Sequence, residues 1–190
     1  CFRWSREEDG SYTGIAGDRI ANIACRNGSV FIDNAEAEDT DFWRDYLDLD
    51  RDYGKIKQAL AAEDEIIRNA IDCGQGIRIL NQNRWETIIS FIISQNNNIP
   101  RIKGCIESLC SNFGESAGSY RGEEYYSMPA PQVLAALDAE DLAPVRLGYR
   151  AKYIIETSKK IVADGGVEFL DSAFDENSSG DEVYEYLTGL

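Results

Sequence analysis

Residues 91–101 read Phe91-Ile92-Ile93-Ser94-Gln95-Asn96-Asn97-Asn98-Ile99-Pro100-Arg101, three consecutive asparagines between two apolar helical patterns. Upstream, Trp85, Ile88, Ile89 and Ile92 stand at i, i+3, i+4 and i+7, the spacing of one buried helix face. Downstream, Ile102, Cys105, Ile106, Leu109 and Phe113 continue with helical spacing; Pro100 is tolerated in the first turn and Gly114 ends the segment. The stretch therefore predicts two packed helices joined by a polar elbow. Asparagine caps helix ends and tolerates left-handed backbone, so one or two of the three have a structural purpose. An amide left over at a helix mouth, beside free backbone N–H groups and the Arg101 guanidinium, can hold a phosphate or read the edge of a nucleobase.

The segments before the elbow change character once. Residues 1–33 predict an antiparallel sheet, with strands around Tyr12–Ile15, Ile20–Arg26 and Val30–Ile32, and Asn27-Gly28 suited to a type I′ hairpin turn. Asn34–Asp41 reads as an acidic solvated loop. From Phe42 the spacing is helical through Phe42-Trp43, Tyr46-Leu47, Ile56–Leu60 and Ile66–Ala70. Ile77–Leu80 predicts a short strand returning to the sheet. The change of pattern near Arg84 divides the chain into domains 1–84 and 85–190.

Beyond the elbow, Gly114–Met128 reads as a long polar loop and Pro129–Leu137 as the start of a helix. Gly148 precedes a helix from Tyr149 to about Ala163, closed by Gly165-Gly166, whose inward face is Ala151, Ile154, Ile155, Ser158 and Ile161 or Val162. A last helix spans Ser179–Leu187 with Val183, Tyr184 and Leu187 inward. The expected class is α+β: an N-terminal antiparallel sheet domain with helices, followed by an all-α helical domain.

Composition removes many functions. There is no histidine, which excludes His-dependent hydrolases and most metal sites. Five cysteines, Cys1, Cys25, Cys73, Cys105 and Cys110, show no CxxC spacing and predict reduced thiols, Cys105 and Cys110 as core packing. No apolar run reaches membrane-span length and no signal segment opens the chain. Cys1 in first position allows a lipid-modified terminus or an N-terminal nucleophile, but Phe2-Arg3-Trp4 reads as the continuation of a domain, so the chain is expected to be a processed product or a fragment.

The formal net charge of −15 opposes phosphate binding, yet it is unevenly spread. Residues 96–160 carry 8 basic and 8 acidic side chains, whereas 1–95 carry 11 and 18 and 161–190 carry 0 and 8. The motif-bearing middle is neutral. A salty cytoplasm is one source of such acidity; it predicts stability that rises steeply with added salt, and a fold indifferent to salt would exclude it.

Three separated runs resemble the 8-oxoguanine DNA glycosylase/AP lyase family of the helix-hairpin-helix glycosylase superfamily. They are Gln95–Ile102, similar to its Ser-Asn-Asn-Asn-Ile-x-Arg-Ile run; Leu147-Gly148-Tyr149-Arg150-Ala151-Lys152-Tyr153, similar to its Leu-Gly-Tyr-Arg-Ala-Arg-Tyr run; and Cys1-Phe2-Arg3-Trp4, similar to the start of its N-terminal domain. On the residues alone, Tyr149 is an ordinary half-buried aromatic, Arg150 a salt-bridge partner, and Lys152, Lys159 and Lys160 a solvated helix face. The resemblance implies instead that Asn96, Arg101 and Arg150 hold the orphan cytosine left when a base is extruded, with Tyr149 wedged beside it. It implies excision of 8-oxoguanine opposite cytosine and β-elimination at the abasic site.

The same resemblance implies damaged double-stranded DNA as partner; no cofactor or metal, no membrane, a monomer, and a cytoplasmic location, nucleoid-associated in a prokaryote, are expected beside it. The family's nucleophilic lysine and assisting aspartate belong to a Pro-Gly-Val-Gly-x-Lys hairpin and the residues beyond it, which would begin where Tyr186–Leu190 stand. No residue matches either, and Lys55, Lys57 and Lys103 lie in the wrong context. The lesion-reading glycine would precede Cys1, and the pocket-closing aromatic and glutamine would follow the hairpin. The expectation is therefore a fragment with no catalytic residue. Two alternatives stand beside it: a non-catalytic acidic module binding DNA or protein, and a related glycosylase of another base preference.

Overall fold

Asn27 and Gly28 turn the chain with φ of +51° and +74°, and the strands on either side pair in register from Asn22↔Asp33 to Arg26↔Ser29. The computed structural model describes residues 2–173 and 178–189. Cys1, to which the lipid-anchor and nucleophile readings apply, lies outside the described residues. β1 (Trp4–Arg6), β2 (Tyr12–Ala16), β3 (Arg19–Arg26) and β4 (Ser29–Asp33) form one antiparallel sheet in the order β1-β2-β3-β4. Asn22, buried in this sheet, donates through its amide to Ser11 Oγ at 2.8 Å and Thr13 Oγ1 at 2.9 Å, so its polarity is satisfied.

The described residues divide into two compact units, one made of those up to Asn34 together with those from Asn83 onward, the other of Ala35–Gln82. The second unit holds α1 (Thr40–Tyr46), α2 (Tyr53–Glu63) and α3 (Glu65–Cys73), and a 3-10 turn at Ala37–Asp39 stands in the stretch read as a loop. Its local organiser is Tyr53, whose hydroxyl donates to Asp48 Oδ2 at 2.7 Å and accepts from the Ile79 amide at 2.8 Å. Arg78 stacks over the Tyr53 ring at 4.8 Å and donates to the Asp48 carbonyl. Residues 77–80 are thereby held within this unit and form no strand, contrary to expectation, and Ile77 and Ile79 are exposed.

In the first unit, α4 (Arg84–Ser94), α5 (Ile99–Phe113), α6 (Pro131–Ala135), α7 (Arg150–Ala163), α8 (Val167–Ala173) and α9 (Gly180–Thr188) enclose one core. Ile89, Ile93, Ile106, Leu109, Ile154 and Ile161 are fully buried. Each such side chain contributes about 1.5–3 kcal/mol by leaving water. The Trp85 indole donates to the Pro129 carbonyl at 2.8 Å, anchoring α4 to the segment that enters α6. Among the described residues, no helix is long and apolar enough to cross a membrane.

The α+β class agrees with the sequence reading, with three local corrections. The expected polar loop after Gly114 contains a hairpin, β5 (Ser116–Tyr120) and β6 (Glu123–Tyr126), turned at Arg121 and Gly122 with φ of +54° and +85°. Gly114 ends α5 as expected; its backbone is extended, and glycine is needed because a Cβ there would overlap the Ser127 carbonyl oxygen. The helix α8 follows Gly165-Gly166 and was not anticipated. On α9, Tyr184 and Leu187 face solvent, while Tyr186 packs inward against Phe169, its hydroxyl donating to Asp164 Oδ2 at 2.9 Å.

Candidate nucleic-acid interface

Each asparagine of the elbow has a different task. Asn98 caps α5, its Oδ1 accepting from the Arg101 amide at 3.1 Å. Asn97 closes α4, its Nδ2 donating to the Ile93 carbonyl at 3.0 Å while its Oδ1 accepts from the Asn98 amide at 3.0 Å. Asn96 supplies the left-handed residue, with φ of +47°. Its side chain is exposed and makes no hydrogen bond among the described residues. Two amides are consumed by capping and one remains available.

Arg150, the first residue of α7, holds the elbow in place. It is 5% exposed. Its Nε donates to the Gln95 carbonyl at 2.9 Å, Nη2 to the carbonyls of Gln95 and Asn96, the latter at 2.9 Å, and Nη1 to the Leu147 carbonyl at 3.3 Å. Four of the five guanidinium N–H groups are thus directed at backbone oxygens. Tyr149, 54% exposed, lies beneath the guanidinium at 4.6 Å, a cation–π contact, and meets Tyr153 edge to face at 6.1 Å. Its hydroxyl stands 3.5 Å from the Gln95 carbonyl. Arg101 is exposed and donates through Nη2 to the Arg146 carbonyl at 3.2 Å, tying the first turn of α5 to the loop before α7.

The four residues singled out in the sequence, Asn96, Arg101, Tyr149 and Arg150, therefore surround one elbow. The carbonyls of Gln95, Asn96, Arg146 and Leu147 that knit it together carry no side-chain signature and were not anticipated. Phe91 and Ile99, on the helix turns flanking the elbow, are 67% and 63% exposed and give it an apolar rim.

The arginines differ in their charge pairing. Arg3, Arg19, Arg26, Arg44, Arg51, Arg84 and Arg121 are each ion-paired with a carboxylate. Among the described residues, no carboxylate ion-pairs with Arg6, Arg68, Arg78, Arg101, Arg146 or Arg150, and three of these six gather at the elbow. In a chain of net charge −15, three arginines without a countercharge at one elbow make a local site for an anion. Lys152 and Lys160 instead pair with Glu156 and Asp164 one turn on, as a solvated helix face does. Lys55 pairs with Asp52, Lys57 donates to Gln75, and Lys103 donates to the Trp4 carbonyl at 2.6 Å; no nucleophile's setting surrounds any of them.

Arg3 shows the opposite environment. Its Nε and Nη2 donate to the two Glu107 carboxylate oxygens at 3.0 and 3.1 Å, and Nη2 also donates to the Tyr126 carbonyl at 2.6 Å. Burial works against the Arg3 charge, but the Glu107 hydrogen bond and neighbouring negative groups outweigh it and raise its pKa. Burial also lifts the nearby Glu86 carboxyl above the usual range and pushes the Cys110 thiol up to about 12, so this thiol is inert packing.

Comparison with known proteins gives these features a family. A family model described as the 8-oxoguanine DNA glycosylase N-terminal domain matches residues 1–88, and one described as the HhH-GPD superfamily base excision DNA repair protein matches residues 89–185. An N-glycosylase/DNA lyase of Saccharomyces cerevisiae is 53% identical over 91 residues, covering 47% of this chain and 24% of the relative. The structure of MBOgg1 in complex with low affinity DNA ligand is 44% identical with a TM-score of 0.85, covering 98% of this chain and 63% of that one. The Clostridium acetobutylicum 8-oxoguanine glycosylase/lyase, in complex with dsDNA containing cytosine opposite 8-oxoG, is 36% identical with a TM-score of 0.89, covering 100% and 63%. The chain spans less than two thirds of the length of each of these proteins. Sequence motifs, fold and both matched domains agree that this chain belongs to the 8-oxoguanine DNA glycosylase/AP lyase family within the HhH-GPD superfamily of base excision repair proteins.

Proposed function

We propose that this chain recognises duplex DNA from which a base has been extruded opposite cytosine, and that it contributes this recognition to base excision repair of 8-oxoguanine by N-glycosidic bond cleavage and AP lyase β-elimination. The observation that carries the reading is the elbow itself. Arg150 fixes the backbone of Gln95 and Asn96, and around that fixed point the Asn96 amide, the Arg101 guanidinium and the Tyr149 ring are all exposed. Orphan cytosine offers O2 and N3 as acceptors and its N4 amino group as donor. Arg101 donates to the acceptors and the Asn96 Oδ1 accepts from N4, while Tyr149 wedges into the vacated stack. Arg150 adds its charge and the one N–H that the backbone leaves unused.

Reading the partner base restricts excision to lesions opposite cytosine and protects against fixing a mispair with adenine. We assign the bond-breaking step to the protein as a whole, since none of the lysines near the fold's surface stands in the nucleophile's hairpin context; these 190 residues bind without nicking. In this reading 1–84 and 85–190 act as the two functional domains, and the protein works as a monomer on cytoplasmic or nucleoid DNA. The test is fluorescence anisotropy with a duplex carrying an abasic analogue opposite cytosine and the same duplex undamaged. Arg101→Ala and Arg150→Ala should weaken the first by about 1–3 kcal/mol more than the second, the worth of a base-edge contact. Equal losses on both duplexes would reduce the arginines to phosphate contacts and remove the orphan-base reading.

A further inference from the structure

We propose that Arg146 is a phosphate ligand, and that the cleft it forms with Arg101 along α5 seats a backbone phosphodiester of the strand that carries the orphan base. The proposal deepens the orphan-base reading and rests on it. Arg146 ends the 3-10 turn Ala143–Val145 with φ of +59° and ψ of +37°, a left-handed conformation that glycine and asparagine adopt readily and arginine does not. Its side chain is exposed and has no ion pair among the described residues. The chain carries an awkward, fully charged residue here without any internal partner to account for it.

Geometry gives the charge a site. The Arg146 carbonyl accepts from Arg101 Nη2 at 3.2 Å, which brings the two arginines to the mouth of a cleft of about 580 Å³. Arg101, Gly104 and Ser108 line it on the α5 side, Pro144 and Arg146 on the other, and no carboxylate lines it at all. From Arg101 to Ser108 the cleft follows α5 for about 10 Å at the helical rise per residue. It therefore leads away from Asn96, which suits a neighbouring phosphate rather than the orphan base. The guanidinium fork matches phosphate oxygens bidentately. A Cβ built on Gly104 meets nothing within 4 Å, so the cleft wall is open at that point.

Anisotropy titrations of the 190-residue chain against salt, on the abasic duplex opposite cytosine and on the undamaged duplex, test this. Arg146→Ala should weaken both duplexes by the same factor and reduce the slope of log affinity against log salt by about 0.9, the release expected for one phosphate. Arg146→Lys should keep the slope, and Gly104→Asp, which has room for its side chain, should weaken both duplexes while Gly104→Ala does not. Arg146→Gly relieves the backbone, so its Tm should rise although its slope falls; a folding defect cannot produce that pair of results. An unchanged slope in Arg146→Ala, with the parent chain still preferring the abasic duplex, overturns the cleft and leaves the orphan-base reading intact. A loss confined to the abasic duplex makes Arg146 a base contact and also overturns it. A parent chain with no preference between duplexes, but with the slope change present, sinks the orphan-base reading and supports the phosphate site alone.

Discussion

Two arginines are buried to nearly the same depth, Arg3 at 4% and Arg150 at 5% exposure, and their charges are compensated in different ways. Arg3 meets the Glu107 carboxylate in a bidentate pair that sets a negative charge against its own, although its Nη1 is buried without a hydrogen-bond partner among the described residues. Arg150 meets only carbonyl oxygens and an aromatic face. Backbone dipoles and a ring quadrupole satisfy its hydrogen bonds without cancelling its charge, so positive potential persists at the elbow. One arginine serves the fold; the other serves the fold and leaves a field behind for a ligand.

Replacing each by methionine is the most severe test of that contrast. Arg150→Met should cost about 3 kcal/mol in urea denaturation, since it strands several carbonyls, and should also abolish the preference for the abasic duplex. Arg3→Met should cost about 2 kcal/mol and leave that preference unchanged. Parallel loss of DNA discrimination in both variants would dissolve the distinction. A smaller effect separates backbone from side chain at Asn96. Asn96→Ala should lose about 1 kcal/mol because alanine resists a φ of +47°, whereas Asn96→Gly should recover the stability but not the cytosine preference. The smallest effect probes the Arg3 side through pH. At low pH Glu86 is neutral in both states; as pH rises through its ordinary 4.5 the unfolded chain ionises first, and stability falls until the raised folded pKa is passed. Glu86→Gln should flatten that part of the stability–pH curve.

Much of this architecture is legible in the residues. Asn27-Gly28 specified its turn, and the apolar spacing of α4, α5 and α7 specified their buried faces, because periodic burial writes itself into side-chain order. The asparagine run announced the elbow, and capping chemistry predicted that not all three amides would be free. What stayed hidden lacks such a record. The clamp of Arg150 uses backbone oxygens, which every residue possesses. The β5–β6 strands, Ser-Ala-Gly-Ser-Tyr and Glu-Glu-Tyr-Tyr, do not alternate apolar and polar residues, so they read as loop. On α9, Tyr184 and Tyr186 are chemically alike, and the positions of Asp164, Phe169 and Lys160 select the inward one. Arg146 is invisible for the converse reason: the left-handed site favours glycine, and an arginine gives no sign of it.

The Asn96–Arg101 run owes its shape to a residue about 50 positions away. Anyone transplanting these residues onto another helical pair, to build a cytosine sensor, would obtain the letters without the posture unless an arginine were supplied from a third helix to grip the carbonyls of Gln95 and Asn96. The portable module is the elbow together with the opening turn of α7.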